Sequence, residues 1–249
     1  MRAGQTQANR HPGAAAAGPN HRARAIVVGG LLVFAIVVLF VGEALYSPIL
    51  DAADDPGAAH TQRTRVVLGI LIEFLAVPAV IMISATLFPI LRRHAESLAL
   101  AYLGMRVLEG AILTVSYVAQ LSRLRLSQSY VEGGQWEGAA EPLGDLLRSV
   151  DDWAGTMGLL YLVTFCLGSL VLFTVLYRAR LVPRPISGWG LLAAVVLLVG
   201  TILVNLDLAG PLSGAGLQLA CAAPIAIAEL LLAGWLIVRG FEAAATAPQ

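Results

Sequence analysis

Residues 98–121 read LALAYLGMRVLEGAILTVSYVAQL. As one helix the run is long enough to cross about 30 Å of hydrocarbon, yet Arg106 and Glu109 stand near its middle. Tyr102, Arg106, Glu109, Leu113, Ser116 and Gln120 follow one another at steps of three and four. A helix therefore gathers the polar members on one face and leaves apolar residues on the rest. A charge at the centre of a membrane helix costs about 2.5–3.5 kcal/mol on insertion scales. Arg106 and Glu109, at i and i+3, lower that cost by pairing within their own helix. The stretch predicts a membrane-spanning helix whose charged face turns into a bundle.

Five more runs of this kind surround it, at 25–46, 66–91, 153–177, 187–208 and 219–238. Hydrophobic residues make up 58% of the chain and charged residues 13%, against about 25% charged in soluble domains. The predicted fold is all-α, a polytopic bundle of six transmembrane helices over residues 25–241. Residues 1–24 are polar and rich in Ala and Gly, the composition of a disordered cytoplasmic tail, and 242–249 form a short C-terminal tail. The apolar run 25–41 exceeds the core of a signal peptide, about 7–15 residues, and is read as a retained span. With the N-terminus inside, Arg2, Arg10, Arg22, Arg24, Arg92, Arg93, Arg178, Arg180, Arg184 and Arg239 fall on the inner side. Arg63, Arg65, Arg123, Arg125 and Arg148 fall outside. Basic residues concentrate in cytoplasmic loops, so both termini are expected in the cytoplasm.

The remaining chemistry is sparse. Net charge is zero and no basic stripe is interleaved with aromatics, which excludes a nucleic-acid partner. Cys166 and Cys221 lie in apolar runs, and His11, His21, His60 and His94 all lie outside the spans. No metal centre or other cofactor is expected from that set. A serine nucleophile would need a base that no span supplies, no His-Glu-x-x-His segment occurs, and the carboxylates lack the histidines of a di-iron bundle. No residue is assigned a catalytic role.

What stands out is acid at depth. Glu73 lies about two turns below the outer end of the second span, Glu229 near the centre of the sixth and Glu43 near the outer end of the first. Asp152 and Asp207 close the outer ends of the fourth and fifth spans. This predicts a buried polar pocket of Arg106, Glu109, Glu73, Glu229 and Tyr102, beneath an outer vestibule containing Glu43, Asp152 and Asp207. Three deep carboxylates face one deep cation, so at least one of them is expected to hold a proton at pH 7. Pro142 followed by Leu143, Leu146, Leu147 and Val150 predicts a short helix in the external segment 122–152, as a packed connector or lying on the membrane surface. Pro78, Pro89 and Pro224 predict kinks in the second and sixth spans.

Several segments together carry a resemblance: LFPILRR at 87–93, RVLE at 106–109, DWA at 152–154, LVPRPISGWG at 181–190, and the closing stretch from Pro224 through Glu229 to WLIVRGF at 235–241. As a set they resemble the bacterial membrane family called domain of unknown function 4386, over about residues 24–241. The resemblance implies a multi-span protein of a bacterial cell membrane and defines no activity. Members often carry His just before the Asp-Trp pair, where this chain has Asp151, so a role resting on that histidine does not carry over.

The leading functional expectation is binding or transport of a small solute or cation, with carboxylates exchanging protons and Arg106 as a fixed counter-charge. Two alternatives stand beside it. One is a scaffold or sensor subunit whose buried charges specify helix pairing. The other is a lipid-modifying enzyme of the outer leaflet, suggested by the outward placement of the acids. The partners implied are the lipid bilayer and a small solute, cation or proton; no oligomer or protein partner is specified.

Overall fold

Proline, glycine and one extended residue set several of the helix boundaries among the described residues. The computed structural model describes residues 19–51, 58–132, 140–208, 210 and 214–242. Among these residues there are eight helices and no strand: α1 (Pro19–Leu50), α2 (Ala58–Thr61), α3 (Arg63–Phe74), α4 (Ala76–Val131), α5 (Ala140–Ala154), α6 (Leu159–Ala179), α7 (Arg184–Asn205) and α8 (Ala215–Val238). Pro78 lacks the N–H that would bond the Phe74 carbonyl, so α3 stops at Phe74. Leu75 turns tightly back to the Ile72 carbonyl at 3.2 Å, and α4 starts at the next residue. Pro89 and Pro224, by contrast, lie inside continuous helices.

A straight helix of the 56 residues of α4 would be about 84 Å long. It folds back instead at Ala95, whose backbone is extended (φ −160°, ψ 89°). Gly110 packs against Val77, and the Tyr117 ring lies 6.0 Å from that of Phe74. Such contacts require the two arms of α4 to run antiparallel, with the polar run Arg92, Arg93 and His94 leading into the bend. Five stretches are long and apolar enough to cross a membrane, and Arg63–Ser129 doubles back, which makes six passes.

Neighbours around the bundle are α3, α1, α8, α7 and α6 in turn, with α4 packed against α1, α3 and α6. The far arm of α4 continues to Val131, beyond the predicted end at 121, because polar residues such as Ser122 and Arg123 do not break a helix. α5 folds back along that arm: Gly144 approaches Leu126, and Leu143 and Leu147 share a cleft with Leu126. The segment after 121 is thus a packed connector and not a helix lying separately on a surface. Within the expected span 153–177, helix α6 begins at Leu159, because a tight turn at 155–158 separates α5 from α6. A Cβ on Gly158 would come within 2.5 Å of the Trp153 carbonyl carbon, so the turn needs glycine there.

Two arginines anchor α1. Arg22 donates to the Ile237 and Val238 carbonyls at 2.9 and 3.0 Å, satisfying acceptors left open at the end of α8. Arg123 donates to the Leu50 carbonyl and, at 3.2 Å, to Asp51 Oδ1 at the opposite end of α1. The Arg22 bonds place residues 22 and 238 at one end of the bundle, where Glu242 N–H also donates to the Leu181 carbonyl at 3.0 Å. α1 starts at Pro19, inside the stretch expected as tail; residues 1–18 and 243–249 lie outside the described residues.

Candidate functional site

The close crossing of α1 and α3 sets the first part of the site. A Cβ on Gly42 would fall 2.5 Å from the Glu73 Cβ and 2.7 Å from the Gly69 carbonyl oxygen. Only a small residue permits that approach. It brings Tyr46, one turn beyond Gly42, alongside Glu73. Glu73 is 1% exposed and faces the hydroxyls of Tyr46 and Tyr117, while its Oε2 accepts no hydrogen bond. No ion pair reaches it among the described residues. From Tyr46 a polar chain leads to Asp151 on α5. Gln120 Nε2 lies 3.1 Å from Tyr46 Oη, 3.2 Å from Ser116 Oγ and 3.0 Å from Asp151 Oδ1, and Ser116 also donates to Asp151.

The second part lies on the far arm of α4. Arg106 Nη1 donates to both oxygens of Glu109, at 3.1 and 2.8 Å, and Nε donates to Tyr102 Oη at 3.3 Å. The rings of Tyr102 and Phe165 lie 5.3 and 5.2 Å from its Cζ, within cation–π range. Arg106 Nη2 is 3.7 Å from Glu229 Oε1, an ion pair longer than a hydrogen bond. Arg106 and Glu109 are 3% and 1% exposed, Glu229 15%. One carboxylate is thus fully engaged, and the other remains available.

Two cavities meet at these groups. An inner one of about 150 Å³ is lined mainly by apolar side chains of α1, α4, α6, α7 and α8, with Arg106, Glu109 and Glu229 in its wall. An outer one of about 220 Å³ is polar, lined among others by Tyr46, Asp51, Gln120, Arg123, Asp151 and Asp152. Glu43, Thr156 and Met157 line both. The turn that interrupts α5 and α6 therefore forms part of the boundary between the chambers.

Of the residues predicted for the pocket, the structure brings Arg106, Glu109, Glu229 and Tyr102 together. Glu73 lies apart from them, among tyrosines. Glu43 and Asp152 line the outer cavity, but Asp207 lines neither chamber: it is exposed at the end of α7, with a left-handed backbone (φ 53°). Tyr46, Tyr117 and Asp151 are polar neighbours of these groups that the sequence reading left out of the site. A signal for Asp151 existed in its place immediately before the Asp-Trp pair, and one for Tyr46 in its position a turn after Gly42. Among the described residues no group of three or more His, Cys, Asp or Glu side chains could hold a metal ion.

Six apolar passes around a buried ion-pair cluster define a multi-pass, all-helical membrane protein. Residues 27–240 match the family described as Domain of unknown function (DUF4386), and the chain belongs to that family. No curated protein and no solved structure matches the chain.

Proposed function

We propose that this protein binds a small solute or cation in the inner cavity and carries it across a bacterial cell membrane in exchange with protons, its termini in the cytoplasm. The observation that carries the reading is the pair of cavities, which share Glu43 and extend from a polar chamber to the Arg106 cluster. Arg106 serves as the fixed positive charge, held by Glu109, and Glu229 faces the cargo. Glu73 takes the proton. It has no cation beside it among the described residues, and the chain Asp151, Gln120, Tyr46 supplies hydrogen-bonding groups from the outer cavity to its side. The cytoplasmic assignment of the termini is supported by the arginines Arg22, Arg92, Arg93, Arg178 and Arg239, which cluster near the end where Arg22 meets α8.

The test is proton flux and solute uptake or efflux in proteoliposomes under an imposed pH gradient. Wild type is expected to dissipate the gradient, and Glu73→Gln to abolish that flux while the folded bundle persists. Unchanged flux in Glu73→Gln, Glu109→Gln and Arg106→Ala would defeat the reading. The scaffold alternative is favoured by how fully Arg106 and Glu109 satisfy each other; it predicts a crosslinked partner in cells, and recovery of monomer alone would count against it.

A further inference from the structure

We infer that the inner cavity takes a small lipophilic amine in its cationic form, the ammonium against Glu229 and a ring-sized apolar group between α1 and α8. The inference rests on the reading of this cavity as a solute site and specifies the solute's chemistry.

Charge comes first. Two carboxylates share one guanidinium, and Glu109 already receives two bonds from it. Glu229 is held only by the 3.7 Å ion pair, accepts no hydrogen bond among the described residues, and is partly exposed in the wall of the cavity. A cation entering there completes the balance, whereas an anion would have to displace Glu109 or Glu229 from an arginine that is 3% exposed. Phe165 and Tyr161 line the same cavity, and aromatic faces attract organic ammonium groups. A hydrated inorganic ion fits poorly, because most of the wall is apolar and offers little to replace its water.

Size and access agree. About 150 Å³ is close to the volume of an engineered apolar cavity that accepts benzene. α1 and α8 touch closely at Gly29, where an added Cβ would lie 2.7 Å from the Ala233 carbonyl oxygen. Further along, the cavity occupies the space between them, with Phe40 at its rim 62% exposed. An amine dissolved in the bilayer thus has a route from the side.

The experiment uses the full chain in detergent and three probes of matched shape: benzylamine, charged at pH 7, neutral benzyl alcohol, and benzoate. Binding is read by equilibrium dialysis and by the shift in thermal unfolding. Benzylamine is expected to bind at least tenfold more tightly than benzyl alcohol, with benzoate weakest. Glu229→Gln should remove the preference for charge while leaving benzyl alcohol binding in place. Ala226→Phe, which fills the cavity while keeping Arg106, Glu109 and Glu229 in the chain, should weaken both probes at least tenfold and serves as the second variant if Glu229→Gln does not fold. Equal binding of amine and alcohol, unaltered by Glu229→Gln, overturns the inference and leaves the cavity as a solute site. Preference for benzoate does the same. Binding by none of the three overturns it, while the Glu73→Gln flux measurement decides the transport reading separately.

Discussion

Glu109 and Glu73 are both 1% exposed and both sit in apolar helices, but they are accommodated differently. Glu109 has a guanidinium on its own helix that bonds both of its oxygens. Glu73 has the hydroxyls of two tyrosines from other helices and one oxygen with no partner. A carboxylate locked to arginine resists any change of state, because losing its charge would strand the cation. A carboxyl among hydroxyls can gain or lose a proton with only a local exchange of donors. The first arrangement holds geometry, and the second suits switching.

That contrast can be broken most forcefully at Arg106. Arg106→Ala leaves Glu109 and Glu229 without their counter-charge and is expected to destabilise the bundle by about 3–5 kcal/mol, the cost of orphaning a buried charge. Denaturant unfolding in bicelles would measure it, and the double variant Arg106→Met with Glu109→Leu should recover most of the loss. The same conservative change then compares the two acids directly. Glu109→Gln gives up charged hydrogen bonds and is expected to cost about 1.5–3 kcal/mol by the same assay. Glu73→Gln should cost less than about 1 kcal/mol, in line with the modest worth of interhelical hydrogen bonds in membranes. Its signature is spectroscopic: the infrared band of a carboxylic acid disappears in Glu73→Gln and persists in Glu109→Gln. A band that follows Glu109 instead would reverse the assignment of the two roles.

The sequence made some of this legible and hid the rest for physical reasons. Long apolar runs revealed the six passes, and i,i+3 spacing was enough to pair Arg106 with Glu109, since both residues ride on one helix. Partners on other helices depend on how each helix is rotated about its axis, which depth along a span does not report. Asp207 and Asp152 lie at comparable expected depth, yet only Asp152 lines a cavity. The inward direction of Tyr46 follows from the contact of Gly42 with Gly69, which no spacing within a single span reports. A helix outruns its apolar span where hydropathy changes but helix propensity does not, as beyond residue 121. Gly155 and Gly158, in turn, break the helix inside an otherwise continuous run, which hydropathy does not report.

The placement of both Arg106 and Glu109 on α4 bears on biogenesis. Synthesis runs at about 5–20 residues per second, and Glu229 appears only with the last helix, several seconds after Arg106 has left the ribosome. A third pass that brings its own counter-ion can enter the bilayer without waiting for that helix. Arg22 is in the reverse position: the carbonyls it caps belong to α8, so that end of α1 waits for its partners longer than the end held by Arg123. A chain truncated before Ile237 should therefore keep its mid-membrane ion pair and the Arg123 bonds at the far end of α1, yet lose the bonds that Arg22 makes to α8.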